Sequence, residues 1–561
     1  MNRKQIIISI FAVLILLTPL AYQTNYVQAD DSDYYSKIKK GLEYFQKVYD
    51  RVQAHYVEEI DPYEFVKAGI EGMLAALDPY TVFIEQEADA RLRIITTGKY
   101  GGVGMEIGMR NDKATVISPM DNSPAQKAGV QAGDIIEEIG GVNVRGLSLE
   151  NISRRLRGPV GSDLKLAIKR PGYSGKIIMT MKRTEIIIED VNFADFVEPG
   201  VAYIRLTGFT DKAGIEMRQA IRDMQKKQQI EAFILDLRGN TGGLLEAAVE
   251  VLGVFLPQGT TVVSTRGFRD GEHHFKTHTE PMLLDVPLAV LVDHGSASAS
   301  EIVAGALQDL DRAIIVGTGT FGKGLVQKVY NIDKNSSTKI KVTTAKYYMP
   351  SGRCVQKKDY TENKAVFYNG ELDSVIATPK DSSMFFTANN REVYEKGGIT
   401  PDRILPKEKM HFVVTELWRQ SLIFNFAVEY HQNNPNWDAN NGITDEIYQQ
   451  FISYVKSMGF DYQIEGESEL IAFLDLAKDS DFPQDIINSS ESLLLKVNDL
   501  KEADILKHKS EIEEILLSEL AEKYFGNQEK TRYSLNYDDQ MREAIHVVLD
   551  EAEYKKILAI K

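Results

Sequence analysis

Apolar side chains near the start of the chain recur at alternating steps of four and three residues, the spacing of a helix with one apolar seam. The seam consists of Ile38, Leu42, Phe45, Tyr49, Val52 and Tyr56. A second helix is predicted up to Leu77, where Asp78-Pro79 ends it because proline disfavours helical geometry in the preceding residue. The seam packs either inside its own chain or against a second copy in a homodimer, and the pattern leaves both interpretations open.

Further along, the hydrophobic pattern predicts three more regions. Residues 97–185 contain short β-rich runs separated by glycine and proline, which indicates a small β-rich domain. Residues 190–360 alternate apolar runs with amphipathic helical segments, which predicts an α/β layered domain. The strands are expected at 114–117, 164–169, 176–181, 201–206, 232–237, 288–292 and 313–316, and the helices at 244–255 and 300–310.

Residues 405–561 are acidic and form a series of amphipathic segments, the first of which Thr444 can cap. Further helices are predicted at 490–500, 509–525 and 538–558. No combination of residues with a chemical role is evident there. The segment is therefore interpreted as a helical extension that packs on the rest of the chain or docks a partner.

Composition narrows the class of function. The 561 residues carry a net charge of −16, with no long basic run after the N-terminus, which argues against a nucleic acid partner. Cys354 is the single cysteine, so an internal disulfide is excluded, and no histidine is evident that would make it a nucleophile. Residues 1–29 combine a positive start, an apolar run and small residues at a cleavage site. They predict a secretory signal peptide, with an uncleaved membrane anchor as the alternative, and both place the chain outside the cytoplasm.

The first pattern that carries chemistry is Gly-Ser-Ala-Ser-Ala-Ser-Glu at 295–301, between a predicted strand and a predicted helix. A turn of this kind exposes a side chain above the sheet and directs free backbone N–H groups toward a ligand. The pattern alone does not choose among Ser296, Ser298 and Ser300 as a nucleophile. An ordinary helix cap at Ser300 is the competing interpretation.

The second pattern, Phe-Gly-Lys-Gly-Leu-Val-Gln at 321–327, supplies a candidate base. No histidine lies near either pattern on the required side, so Lys323 remains. A free lysine has a pKa near ~10.4, which burial can lower by ~3–5 units. Gln327 falls on the same face, where its carbonyl can orient the lysine without adding charge. A phosphate-binding loop is the alternative, but its spacing and the Ser/Thr after the lysine are missing.

Two glycine turns complete the set. At the end of a predicted strand, Gly242 and Gly243 have N–H groups that can face an oxyanion, whereas Asp236 and Arg238 are interpreted as a structural pair.

In the β-rich segment, a glycine loop leads into a strand. It consists of Gly101, Gly102, Val103 and Gly104. The N–H groups of such a loop can hold a terminal carboxylate while the strand pairs with an extended peptide.

Together with Leu-Asp-Pro-Tyr-Thr at 77–81 and Gly-Gly-Ile-Thr-Pro-Asp at 397–402, these motifs resemble the carboxyl-terminal processing peptidases, which include the tail-specific proteases. The resemblance covers residues 34–402. It implies that Ser298 is the nucleophile, that Lys323, 25 residues later, is the base, and that Gln327 orients the lysine. It also implies an oxyanion hole from the N–H of Ala299 plus that of Gly242 or Gly243. Asp309 occupies the place of an aspartate discussed as a participant in some members, but it lies about three helical turns beyond the serine.

The expected architecture is multidomain α+β with five segments. The resemblance implies an N-terminal helical domain (34–96), a PDZ domain (97–185) and a crotonase-like serine peptidase core (190–404). The sequence pattern alone adds a signal segment (1–29) and a C-terminal helical extension (405–561).

The expected function is that of an exported serine endopeptidase that recognises protein substrates by their free C-termini, without a cofactor or metal. A homodimer through the N-terminal helices and a docking partner for the C-terminal helices are further expectations. A non-enzymatic PDZ scaffold is the main alternative, and an acyl-CoA enzyme of crotonase type is a third. The intact set of Ser298, Lys323 and Gln327 argues against a scaffold, and export argues against the acyl-CoA enzyme.

Overall fold

The computed structural model describes residues 31–332, 338–357, 360, 383–395, 397–406, 409–480 and 482–560. The predicted signal segment at 1–29 lies outside the described residues. The chain divides into two compact units, one ending at Leu77 and the other extending from Asp78 to Lys561. Within the described ranges, no helix combines the length and the apolar character needed to cross a membrane.

The first unit contains two helices, α1 (Asp31–His55) and α2 (Pro62–Ala75). The ring of Tyr49 stacks on that of Phe65 with 5.8 Å between the ring centres, so part of the predicted seam packs inside this unit. Other seam residues stay on the surface, and Leu42 is 67% exposed. Packing inside the chain is therefore confirmed for part of the seam, and the homodimer stays a prediction.

The second unit begins with β1 (Val82–Ile84) and α3 (Gln86–Thr97) and continues into a small β-rich domain. The elements of that domain are β2 (Lys99–Gly102), β3 (Met105–Arg110), β4 (Lys113–Pro119), α4 (Pro124–Lys127), β5 (Ile135–Ile139), β6 (Val142–Asn143), α5 (Leu149–Leu156), β7 (Asp163–Lys169), β8 (Lys176–Lys182) and β9 (Thr184–Ile187). Strands β3, β4, β5, β7 and β8 form an antiparallel sheet in that order, with β6 beside β5, and β2 pairs with β9. The three strands predicted here are confirmed. Strand β3 lies at an edge of its sheet, and α5 packs beside it.

The α/β region follows as predicted. Its elements are β10 (Val191–Glu198), β11 (Val201–Leu206), α6 (Ala213–Lys227), β12 (Ala232–Asp236), α7 (Leu245–Leu252), β13 (Thr261–Gly267), β14 (Gly271–Lys276), β15 (Leu288–Val292), α8 (Ala299–Asp309), β16 (Ile314–Gly317), β17 (Leu325–Asn331), β18 (Lys339–Tyr348), β19 (Met384–Phe386), β20 (Glu392–Tyr394) and β21 (Arg403–Ile404).

The main sheet of this region has the order β10-β11-β12-β15-β16-β21, with an antiparallel first pair and parallel pairs after it. Every residue of β12 and β15 is buried, because both faces of the sheet are covered. Helices α6, α7 and α8 contribute to the apolar core on one face. A second sheet has the order β1-β18-β13-β14 with β17 beside β18, and β19 pairs with β20.

The C-terminal extension is helical, as predicted. Its helices are α9 (Phe412–Arg419), α10 (Leu422–Asn433), a 3₁₀ turn (Ala439–Asn441), α11 (Asp445–Ser457), α12 (Glu467–Asp479), α13 (Gln484–Lys507), α14 (Lys509–Phe525), α15 (Asn527–Leu535), α16 (Asp539–Leu549) and α17 (Glu551–Ile557). Thr444 caps α11, since its hydroxyl accepts the N–H of Ile447 at 3.3 Å. The single helix predicted at 538–558 is two helices, because Asp550 has an extended backbone and caps α17.

The last two helices cover the second face of the main sheet. Met541, Ala544, Val547 and Val548 of α16 share one apolar cluster with Tyr203, Ile234 and Leu291 of the sheet. The hydroxyl of Tyr554 in α17 accepts the N–H of Leu288 at 3.0 Å. This part of the extension is therefore a layer of the α/β region, whereas α9, α10, α11, α13 and α14 contribute to a separate apolar cluster.

Candidate active site

Three loops with candidate chemistry meet at one edge of the main sheet. They follow β12, β15 and β16, which are parallel neighbours, so their carboxyl ends lie side by side. Loops at this edge are the usual location of ligand sites in open α/β sheets.

The structure distinguishes the three serines that the sequence pattern left equal. Ser296 and Ser300 are buried, and their hydroxyls donate to the backbone oxygens of Leu237 and Asn240, both at 2.8 Å. Ser298 is partly exposed and precedes α8 with φ of 56° and ψ of −111°. A positive φ at a residue other than glycine is strained and is typical of a nucleophile on a strand-to-helix turn.

Glu301 joins the serine turn to the lysine loop. Its side chain is fully buried, and one carboxylate oxygen accepts the backbone N–H groups of Ser298 and Lys323, both at 2.9 Å. The other oxygen accepts the hydroxyl of Thr320 at 2.6 Å and the N–H of Gly322 at 2.8 Å. All four partners donate, so the arrangement suits the ionised carboxylate. Burial nevertheless raises the pKa of Glu301 above its ordinary value, against the effect of these hydrogen bonds.

Tyr347 forms a second connection between the same two loops. Its buried hydroxyl lies within hydrogen-bonding distance of the backbone oxygens of Ser298, at 3.2 Å, and of Lys323. The relative position of the serine and the lysine is thus fixed by backbone contacts and does not depend on their own side chains.

The ammonium group of Lys323 lies 4.6 Å from the centre of the Tyr80 ring. Burial, and to a smaller extent the positive charge of Lys341, lower the pKa of Lys323 to about 8, although the carboxylates of Glu301 and Asp78 oppose both effects. A lysine with this pKa is partly neutral near physiological pH and can accept a proton. Among the described residues, no hydrogen bond joins this ammonium to the hydroxyl of Ser298.

Gln327 lies on β17, and its amide donates to the hydroxyl of Thr343 at 3.4 Å. The hydroxyl of Thr81 in turn accepts the N–H of Thr343 at 3.1 Å. In the part of the chain that the structure describes, no hydrogen bond joins Gln327 to Lys323, so its expected role as the orienting residue stays a prediction.

The glycine turn after β12 packs against the serine turn. A Cβ placed on Gly242, where φ is 94°, would lie 2.9 Å from the Cβ of Ser298 and 2.8 Å from the nitrogen of Ala299. The N–H of Gly242 donates to the side-chain oxygen of Asn240 at 2.9 Å and is therefore occupied. Within the described ranges, no acceptor contacts the N–H of Gly243 or that of Ala299.

Asp309 belongs to a structural ion pair. Its carboxylate lies 2.7 Å from the guanidinium of Arg353, and both side chains are almost fully buried. It also accepts the N–H of Ser351 at 3.0 Å. The sequence-based expectation that Asp309 takes no direct part in chemistry agrees with these contacts.

The glycine loop of the small domain leads from β2 into the edge strand β3. The backbone oxygens of Gly101, Val103 and Gly104 accept hydrogen bonds inside the domain at 2.9–3.0 Å. Gly102 belongs to β2, whereas Val103 and Gly104 lie between the two strands. For the described residues, no backbone hydrogen bond from the N–H groups of Val103 or Gly104 is found, and both residues are buried.

Sequence reasoning did not assign a role to Glu301, Tyr347 or Tyr80. Local signals pointed to two of them, Glu301 and Tyr80, and none pointed to Tyr347. Ser298 and Glu301 form the Ser-x-x-Glu pattern of a capping box, in which the glutamate accepts the N–H of the cap residue. Tyr80 belongs to the motif at 77–81, which carried the resemblance but had no assigned function.

Family profiles match four stretches of the chain. "Peptidase family S41" matches residues 200–366, and "PDZ domain" matches 115–170. "Probable PDZ-protease, C-terminal helical domain" matches 413–548, and "Activating protease CtpB N-terminal domain" matches 10–88. With the strand-to-helix serine turn, these matches define a serine-type peptidase that carries a PDZ domain between two helical regions.

The chain belongs to the carboxy-terminal processing proteases. It is 39% identical over 321 residues to the carboxy-terminal-processing protease of Bartonella bacilliformis, which covers 56% of this chain and 73% of that protein. It is 33% identical over 327 residues to carboxy-terminal processing protease CtpB of Bacillus subtilis, covering 58% of this chain and 67% of the relative. The solved photosystem II D1 C-terminal processing protease aligns with 68% of this chain and 96% of its own, at 27% identity and a TM-score of 0.36.

Replacing Glu301 by glutamine tests the connection between the two loops. An amide group would face two backbone N–H donors in place of a carboxylate oxygen, and each donor left unsatisfied costs about 1–3 kcal/mol. We expect kcat/KM for a peptide substrate to fall by about 100-fold or more, because a small displacement of catalytic groups has a large effect on rate. Glu189→Gln, which neutralises an exposed carboxylate, is the matched control. Wild-type kcat/KM in Glu301→Gln would contradict this assignment.

Proposed function

We propose that this protein is an exported endopeptidase in which Ser298 is the nucleophile and Lys323 is the general base. The observation that carries the proposal is the shared carboxylate oxygen of Glu301, which holds the backbones of both residues at the edge of the sheet. The strained backbone of Ser298 and the lowered pKa of Lys323 support the same roles.

In the proposed reaction, neutral Lys323 accepts the hydroxyl proton of Ser298 as the serine oxygen attacks the substrate carbonyl. The ammonium must first leave the Tyr80 ring, where it lies in the present structure. The protonated lysine then gives its proton to the leaving amine, and water hydrolyses the acyl-enzyme by the same base. Gln327 is proposed to orient the lysine after that movement, through the amide oxygen that its contact with Thr343 leaves available.

The proposed oxyanion hole consists of the N–H groups of Ala299 and Gly243. Ala299 begins α8, where the first N–H groups of a helix have no intrahelical acceptor. Gly242 is the weaker candidate because Asn240 already accepts its N–H. Removal of one such donor commonly lowers kcat by 10²–10³.

Substrate recognition is assigned to the PDZ domain. An extended peptide would add to the edge strand β3, and its terminal carboxylate would bind the N–H groups of Val103 and Gly104. This mode gives specificity for a free C-terminus because the ionised carboxylate forms charge-assisted hydrogen bonds. A scaffold without activity would bind peptides in the same way, but it has no use for a buried lysine beside a strained serine.

Location and assembly are proposed from the N-terminal sequence. The signal layout of residues 1–29 supports a periplasmic protein, or one held on the outer side of the cytoplasmic membrane, and N-terminal sequencing of the mature protein checks this. The exposed part of the α1 seam supports a homodimer, which sedimentation of Leu42→Glu beside wild type checks. A docking partner for the C-terminal helices remains a proposal that affinity capture on helices α9–α14 can examine.

The experiment that tests the function is digestion of an unfolded protein by wild type beside Ser298→Ala, with the products read by mass spectrometry. We expect Ser298→Ala to lose several orders of magnitude in kcat while it keeps its thermal unfolding profile. Ser296→Ala and Ser300→Ala are the neighbouring controls and should retain more activity. Full activity in Ser298→Ala would exclude it as the nucleophile.

Lys323→Arg tests whether Lys323 acts as a base or only supplies a positive charge. Arginine keeps the charge but cannot release its proton, so we expect both Lys323→Arg and Lys323→Ala to be inactive. In wild type, kcat/KM should rise with pH through a midpoint near the lysine pKa of about 8, because only the neutral lysine accepts a proton.

Lys341→Gln provides the control for that pH profile. It removes a nearby positive charge that lowers the pKa of Lys323, so the midpoint should move to higher pH. Substantial peptidase activity in Lys323→Arg would overturn the Ser–Lys mechanism.

The PDZ assignment predicts that a free C-terminus is required for tight binding. Full-length Ser298→Ala should bind a peptide with a free C-terminus roughly 10–100-fold more tightly than its amidated form, since hydrogen bonds to a charged group contribute about 1.5–3 kcal/mol. A chain that lacks residues 98–184 should show no such preference. Equal binding of the two peptides to the full-length protein would exclude the carboxylate loop.

A further inference from the structure

Arg238 connects the glycine turn of the candidate site to the C-terminal extension. Its guanidinium lies 2.7 Å from the carboxylate of Asp236 and 2.6 Å from that of Asp538. The same group donates to the side-chain oxygen of Gln540 at 3.0 Å. Two of these partners are separated from Arg238 by about 300 residues in the sequence, so the contact depends on the tertiary fold.

At the end of β12, Asp236 determines the position of the Arg238 guanidinium. Its carboxylate is 2% exposed and accepts the hydroxyl of Tyr203 at 2.7 Å. It also accepts the backbone N–H of Arg238 at 2.9 Å and two guanidinium N–H groups. Backbone and side chain of Arg238 are thus held by one buried carboxylate at the end of β12.

On the side of the site, the residues after Arg238 are tied closely to the serine turn. The N–H of Gly239 donates to Asp293 at 2.9 Å. The backbone oxygen of Asn240 accepts the N–H of Ala297 at 3.0 Å and the hydroxyl of Ser300 at 2.8 Å. Arg238 therefore directly precedes a turn whose backbone is hydrogen-bonded to the serine turn, so the position of Arg238 bears on the placement of this turn beside Ser298.

On the side of the extension, Asp538 and Gln540 are themselves fixed. One oxygen of Asp538 caps α16 by accepting the N–H of Met541 at 3.1 Å, and the other binds Arg238. The amide of Gln540 donates to the backbone oxygen of Leu405 at 2.6 Å, and Gln540 is 5% exposed. Helix α16 is anchored in the apolar cluster on the sheet, so these polar groups meet Arg238 from a rigid support.

We propose that Asp538 and Gln540 are positioning residues for the oxyanion-binding turn, which they hold in register with Ser298 through Arg238. The inference rests on the proposed function and assigns part of the active-site architecture to the C-terminal extension. Asp538 supplies a second carboxylate, from the C-terminal extension, to the guanidinium that Asp236 also binds. Gln540 fixes the same nitrogen of Arg238 by a directional hydrogen bond.

The alternative is that these contacts only add stability. A stabilising ion pair would change the unfolding temperature and leave kcat of the folded enzyme unchanged. A positioning pair would lower kcat with little change in KM, because the oxyanion donors act mainly in the transition state. It would also slow the reaction of Ser298 with a fluorophosphonate, because that reaction passes through an oxyanion-like state. The labelling reaction does not require a peptide bound to the PDZ domain.

Asp538→Asn in the full-length protein is the decisive variant. Asparagine is an equally good helix cap, so α16 keeps its first turn. Its NH₂ group would replace the oxygen that faces Arg238, so that two donor groups would face each other where a donor now meets a carboxylate. We expect kcat and the rate of fluorophosphonate labelling to fall about tenfold each, with KM within about twofold of wild type. The midpoint of the pH profile should not move, since Lys323 contacts neither residue.

Asp550→Asn is the matched control, because Asp550 caps the next helix by accepting the N–H of Glu553 at 2.9 Å and does not contact Arg238. Gln540→Met is the second variant and leaves the cap of α16 intact, so it replaces Asp538→Asn if that chain does not fold. It should lower the labelling rate in the same direction.

Wild-type kcat and labelling in both folded variants would overturn the inference, as would an equal loss in Asp550→Asn. A shift of the pH midpoint in Asp538→Asn would also overturn it, because the effect would then lie in the base. The proposed function would fail for a different reason, namely if cleavage or labelling by the wild-type protein did not depend on Ser298.

Discussion

The carboxylate of Glu301 holds together two loops that are separated in the sequence and carry the candidate nucleophile and base. An unpaired carboxylate in the interior would be very unfavourable, so its burial is tolerated only because four donors surround it. It lies in the first turn of α8, where the helix dipole also favours a negative charge. If one donor were lost, the carboxylate charge would be poorly satisfied even though the other three donors remained. The four hydrogen bonds therefore act cooperatively in holding this edge of the sheet.

The parallel sheet explains why so few contacts are enough to assemble this edge. Strands β12, β15 and β16 end side by side, and their loops need to extend only a few residues to meet. Such a sheet must be covered on both faces, since every residue of its central strands β12 and β15 is buried and all but Asp236 are apolar. Helices α6–α8 cover one face and α16–α17 cover the other. The C-terminal extension is therefore required for the burial of the same strands that position the site.

Seven of the strands and several of the helices were predictable from the sequence, and the candidate residues could be selected from it, because each depends on local patterns. Buried strands appear as apolar runs, and the serine and lysine lie in short glycine-rich motifs. The long-range polar contacts were not predictable in this way. The pairing of Arg238 with Asp538 and the stacking of Lys323 on Tyr80 join segments far apart in the chain, and no period or spacing encodes them. Asp550 likewise divides a helix that the apolar pattern continues, because a cap depends on one side chain and not on the pattern.

The electrostatics of Lys323 depend on the same carboxylate that fixes its loop. A lysine that acts as a base must lose its charge readily, yet Glu301 and Asp78 are nearby anions that favour the charged form. The charge of Glu301 is directed toward four donors of its own, three of them backbone N–H groups, which weakens its field at the ammonium. Burial and the repulsion from Lys341 then prevail, and the pKa falls to about 8. A carboxylate that bound the ammonium directly would keep Lys323 protonated. Glu301 can hold the two loops together without this effect because it binds backbone N–H groups and not the lysine side chain.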